Sequence, residues 1–180
     1  VKVWGDNPYG QLGKGNTTQL GVATSEMGNN LSPVDLGTGR TAVRIAAGQN
    51  YTAVILDDGS VKVWGHNAYG QLGQGNTGNI GDGANEMGDN LSAVDLGTGR
   101  TAVAIAAGDN HTAVILDDGT VKVWGQNIYG QLGKGNTIQL GDGAGEMGDN
   151  LTTVDLGTGR TAVYIAAGGS NTAVILDDGS

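Results

Sequence analysis

Short apolar runs punctuated by Gly, Asn and Asp dominate the chain. In VKVWG, starting at Val1, the residues alternate: Val1 and Val3 face one side, Lys2 and Trp4 the other. Ala53, Val54, Ile55 and Leu56 are apolar at every position, the pattern of a strand held between two layers. TAVRIAAG from Thr41, TAVILD from Thr52 and VKVWG from Val61 each read as a strand of five to seven residues bounded by Gly, Asp or Asn. Asp57-Asp58-Gly59 separates the last two and is a hairpin signal. Frequent Gly and β-branched residues oppose helix. The expectation is four short antiparallel strands per unit.

The unit is explicit. VKVWG recurs at Val1, Val61 and Val121, and TAVILDDG at Thr52, Thr112 and Thr172, a period of 60 residues without insertion or deletion. The second and third copies differ at only 14 of 60 positions, so each copy is one structural module used again. The repeats are 1–60, 61–120 and 121–180. This period exceeds that of most helical solenoids, and a strand apolar on both faces suits a β-propeller blade between neighbours.

The residues VWGDNPYGQLGKGNT, followed by AAGQNYTAVILDDG, resemble the repeat of the regulator-of-chromosome-condensation family, with its W-G-x-N-x-x-G-Q-L-G-x-G run. Trp4-Gly5, Trp64-Gly65 and Trp124-Gly125 all carry the first part, whereas only His111-Thr112 has the family's His-Thr. The segment from Gly21 to Leu31 and its counterparts departs from the pattern, as in a bacterial or environmental variant. The resemblance implies an all-β fold, a propeller usually of seven blades. Its members include a nuclear exchange factor for a small GTPase and a secreted bacterial inhibitor of β-lactamase. The basic segments that exchange and chromatin activity need have no match here.

Three units do not make seven blades. Val1 starts a strand whose expected hairpin partner is a TAVILDDGS segment, and the unpartnered copy of that segment is Thr172 to Ser180. Half-blades are therefore expected at both ends, and unpaired strand edges invite pairing. A longer tandem array, a closed head-to-tail ring or an open head-to-tail filament would each satisfy them. The expected partners are the chain itself or another, unidentified protein.

Strand direction sorts the loops onto two faces, and differences between copies gather on one. That face is the candidate protein-binding surface: Asp6, Pro8, Arg44 and Tyr51 in the first copy, His66, Ala68, Asp109 and His111 in the second, and Gln126, Ile128, Tyr164 and Asn171 in the third. Drift at solvated positions gives the same pattern. The opposite segment carries Asp82, Glu86 and Asp89, then Asp142, Glu146 and Asp149. These are weak Ca²⁺ candidates, because their spacing is not that of an EF-hand and the first copy has Val22, Glu26 and Asn29 instead. The tryptophans read as inter-blade core. Asp35 and Arg40 read as an exposed ion pair.

Charge and composition narrow the class. The net charge is −9, which opposes binding to a phosphate backbone. Zero Cys excludes disulfides and thiolate chemistry. No apolar run is long enough to span a bilayer as a helix. His66 and His111 occupy different unit positions and form no repeated cluster. Gly37-Thr-Gly39 is followed by a strand rather than the helix a dinucleotide fingerprint needs. The expectation is a non-enzymatic structural or protein-binding repeat protein without cofactor. An acidic, Cys-free, Asn- and Thr-rich surface suits the outside of a bacterium.

Overall fold

The computed structural model describes residues 1–180. The first sheet contains β1 (Ala42–Ala47), β2 (Tyr51–Leu56) and β3 (Val61–Gly65). The second contains β4 (Ala102–Ala107), β5 (His111–Leu116) and β6 (Val121–Gly125), and the third β7 (Ala162–Ala167) and β8 (Thr172–Leu176). All pairings are antiparallel and consecutive. Each complete sheet straddles a boundary of the sequence period, because β2 closes one 60-residue copy and β3 opens the next.

The fourth strand is reduced to a single bridge: Gly5 with Leu20, Gly65 with Ile80, and Gly125 with Leu140. The cause is local. The Asn67 side-chain amide donates to the carbonyls of Asn76 and Gly78 at 2.8 and 2.9 Å, and its oxygen accepts from the Leu72 N–H at 3.0 Å. A buried side chain thus organises the returning segment where a backbone ladder was expected. Asn7 and Asn127 do the same in their copies.

Alternation divides each sheet as the sequence implies. Ala53, Ile55, Val61 and Val63 face the following unit and pack with Leu72, Val114, Leu116 and Trp124. Val54, Leu56 and Trp64 face the preceding unit and pack with Val34, Leu36, Val1 and Val3. The same arrangement recurs one period later around Ala113, Ile115, Val121 and Val123. β1, β4 and β7 sit side by side at the inner edges of their sheets. Gly59 takes the left-handed backbone (φ +79°) that closes the β2–β3 hairpin.

Two polar contacts lock unit to unit. Trp64 Nε1–H and Thr52 Oγ1–H both donate to the Gln11 carbonyl, at 3.0 and 2.9 Å. Trp124 and Thr112 converge on Gln71 in the same way. The buried Lys62 ammonium donates to the Leu36 and Gly88 carbonyls at 2.9 and 2.8 Å, joining two consecutive copies, and Lys122 repeats this on Leu96 and Gly148. Burial holds both lysines below their usual range, opposed by Asp89 and Asp149 respectively.

Two sequence expectations are corrected here. Trp4 is 59 % exposed, whereas Trp64 and Trp124 are 0 %, each packed against the unit before it. Arg40 pairs with Asp57 and Asp58 rather than Asp35, since the β1–β2 register carries Arg40 to the hairpin. The Asp35 carboxylate instead accepts the Gly37 N–H at 2.9 Å.

Candidate functional site

The loop after β3 and the turn before β2 share one end of each sheet. The His66 N–H donates to the Asn50 carbonyl at 2.9 Å, and the Gln126 N–H to Asn110 at 2.9 Å. Successive turns are also linked: Asp109 N–H donates to the Gly169 carbonyl at 3.0 Å. These loops and turns therefore lie side by side at one end of the sheets. Asp6, Pro8, Ala68, Asp109, Ile128 and Asn171 are exposed on it, while His66 and Gln126 are half-buried.

Tyr51 and His111 depart from expectation, being 1 % and 0 % exposed. The Tyr51 hydroxyl donates to the His111 carbonyl and lies 3.1 Å from Thr112 Oγ1, whose own proton goes to the Gln71 carbonyl. His111 Nε2 lies 2.9 Å from Thr172 Oγ1. Both side chains thus bridge neighbouring units and are unavailable to a partner. Burial raises the Tyr51 pKa and lowers that of His111. Arg44 and Tyr164 lie in β1 and β7 rather than in loops, and both are exposed along the inner edge.

Around His66 the side chains form a small cluster. The Tyr9 ring lies 4.5 Å from the His66 ring, and Gln71 Nε2 lies 3.0 Å from His66 Nδ1. Desolvation lowers the His66 pKa, opposed by Asn110. This cluster positions the loop and brings no nucleophile or second base with it.

The acidic segment is organised by hydrogen bonds. Glu86 accepts the N–H groups of Gly81 and Gly83, both at 2.8 Å, and Asp89 accepts the backbone and hydroxyl of Thr38. Glu146 and Asp149 repeat those contacts. Asp82 and Asp142 stay apart from them, and no three acidic or His side chains converge as a cation site would require.

Sequence reasoning also passed over Gln11, Gln71 and Gln131, whose carbonyls receive the unit-to-unit bonds. These are main-chain carbonyls, which any residue would supply, so no side-chain identity signals them.

Blades of this topology, joined edge to edge around inner strands, define a β-propeller repeat protein. The description "Regulator of chromosome condensation (RCC1) repeat" matches residues 42–71 and 102–131 in one form and 3–55 in another. The chain belongs to this RCC1-repeat family. It is 31 % identical over 137 residues to the human E3 ubiquitin-protein ligase HERC2, covering 76 % of this chain and 2 % of that one. It is 31 % identical over 138 residues to the ultraviolet-B receptor UVR8 of Arabidopsis thaliana, covering 76 % and 27 %. The chain thus spans about a quarter or less of the length of these relatives. Among solved structures, yeast RCC1 (Prp20) bound to Kap60 aligns with a TM-score of 0.62 at 22 % identity, over 96 % of this chain and 36 % of that one. Human WBSCR16 aligns with a TM-score of 0.59 at 22 % identity, over 96 % and 38 %. These structural likenesses establish the propeller fold.

Proposed function

We infer that this chain is a non-enzymatic protein-binding scaffold, with a rigid propeller core presenting the loop face to a partner. One observation carries the reading: positions identical between copies build the core, whereas Pro8, Ala68 and Ile128 differ at one equivalent exposed loop position. Apolar exposure adds to it, with Ile128 54 % and Tyr164 61 % exposed. Exposed aromatic and aliphatic groups on a fixed frame are the usual anchors of a protein interface. The relative solved with Kap60 is a propeller of the same family, in keeping with a protein partner. The acidic surface favours a basic partner over nucleic acid. Extracellular display remains part of the proposal.

The test replaces Ile128 by Asp on the loop face and measures capture of proteins from the source lysate. Loss of the partners held by the wild type, with an unchanged melting temperature, supports the loop face. Retention of the same partners removes it.

A further inference from the structure

All three methionines of the chain stand at one position of the period: Met27, Met87 and Met147, each followed by Gly. Met87 and Met147 belong to the two joints between units. Both are half-buried; Met87 packs with the core around Trp64, and Met147 with the core around Trp124. The contact reaches across the joint. A methyl built on Gly13 of the preceding unit would lie 3.0 Å from Met87 Cε, 2.8 Å from Trp64 Nε1 and 3.0 Å from Val34 Cγ1. On Gly73 it would lie 3.1 Å from Met147 Cε and 2.7 Å from Trp124 Nε1. Each thioether methyl is thus held beside an indole edge, over a glycine that leaves room for both.

The rest of each methionine borders a groove. Met87 lines one of about 750 Å³ together with Lys14, Ser32, Asp35, Glu86 and Asp89. Met147 lines the equivalent groove of about 260 Å³, with Gln74, Ala93, Asp95 and Ala144. Asp35, Asp89, Asp95 and Ala144 are exposed, so water and small polar solutes enter both grooves. With no Cys in the chain, a thioether is the sulfur that an oxidant meets.

We propose that Met87 and Met147 are oxidation sites, at which a peroxide loosens the packing between units. The sulfur lone pair attacks one oxygen of hydrogen peroxide, the O–O bond breaks, and the departing hydroxide takes up the proton and leaves as water. Sulfur is oxidised by two electrons to a sulfoxide, and the peroxide is reduced by two. A thioether asks for no hydrogen bond, whereas a buried sulfoxide oxygen needs one. The indole N–H groups beside the methionines are already engaged, donating to the Gln11 and Gln71 carbonyls at 3.0 and 3.1 Å. The oxidised side chain therefore turns toward the groove, where water satisfies the oxygen, and its methyl leaves the indole and the glycine. Both joints respond alike, because the same residue stands at each. This goes beyond the loop-face reading and does not rest on it.

The experiment uses the whole chain in two forms. One carries Met27→Leu, so that only the two joint methionines remain. The other adds Met87→Leu and Met147→Leu, which keep the volume and apolar character without sulfur. Both are treated with hydrogen peroxide in the native state. Peptide mass mapping should show one oxygen on each of Met87 and Met147, at a rate within about tenfold of that in the urea-unfolded chain. The oxidised two-methionine protein should melt about 4 °C or more below its untreated form, and acrylamide should quench its tryptophans more strongly. Methionine sulfoxide reductases for both epimers, with a dithiol as reductant, should reverse both changes. The three-leucine protein should show neither change. Greater protection of the native thioethers overturns the proposal, because the sulfurs are then closed off. So does full oxidation with an unchanged melting temperature, and so does an equal loss in the three-leucine protein, which places the damage elsewhere.

Discussion

The same tryptophan, in the same pentapeptide, should carry very different energetic weight in different copies. Trp64→Ala removes a side chain with no exposed surface, wedged between Val34, Leu36, Val54 and Leu56. It also deletes the N–H donated to Gln11, although Thr52 still serves that carbonyl. The volume lost is therefore the larger part, and a buried Trp→Ala change costs about 3–5 kcal/mol. Trp4→Ala acts on a ring that is 59 % exposed and sits against no preceding unit. Its expected cost is about 0.5 kcal/mol or less in dilute monomer. Urea denaturation followed by far-ultraviolet circular dichroism measures both, at concentrations below association. Equal midpoint shifts for the two variants would refute the claim that unit-to-unit packing, rather than the local strand, gives this residue its value.

Other expectations follow from the same geometry. Lys62→Met should cost about 2–3 kcal/mol in denaturant titration, because the Leu36 and Gly88 carbonyls lose their shared donor. Arg40→Ala should change stability by less than about 1 kcal/mol despite two ion pairs, since its side chain is 40 % exposed. His111 has a lowered pKa through burial, so its neutral form is favoured in the fold; stability should fall as pH drops from 7 to 5, by at most about 2 kcal/mol for one proton taken up on unfolding. The carboxylates with lowered pKa values lose their contribution only at more acidic pH, so His111→Tyr, the residue of the first copy, should reduce the pH dependence in that window and leave the part due to His66. Lys134, brought down to about 8 mainly by burial, should react first among the lysines with a limiting amine-acylating reagent at pH 8, as read by peptide mass mapping.

Most of the fold was legible because period-two alternation and the Asp-Asp-Gly turn act locally. The strand boundaries at Tyr51–Leu56 and Val61–Gly65 follow from those signals. What escaped was context. Tyr51 and His111 vary between copies, which resembles solvent-driven variation, yet both are buried and reach the equivalent threonine of the next unit, Thr112 and Thr172. Trp4 is identical in sequence to Trp64, and only the missing neighbour distinguishes them. Arg40 chose Asp57 and Asp58 over Asp35 because strand pairing brought a distant hairpin nearer than the local turn. The loop face was readable as a surface, though several of its members proved to be internal braces.

The offset between the sheets and the 60-residue period has a consequence for how such a chain changes length. Because a period boundary falls inside each complete sheet, between β2 and β3, inserting or deleting one full period leaves every surviving hairpin with its proper mate. Unequal recombination between copies of the coding sequence therefore alters the number of modules while each surviving hairpin stays paired within its own sheet.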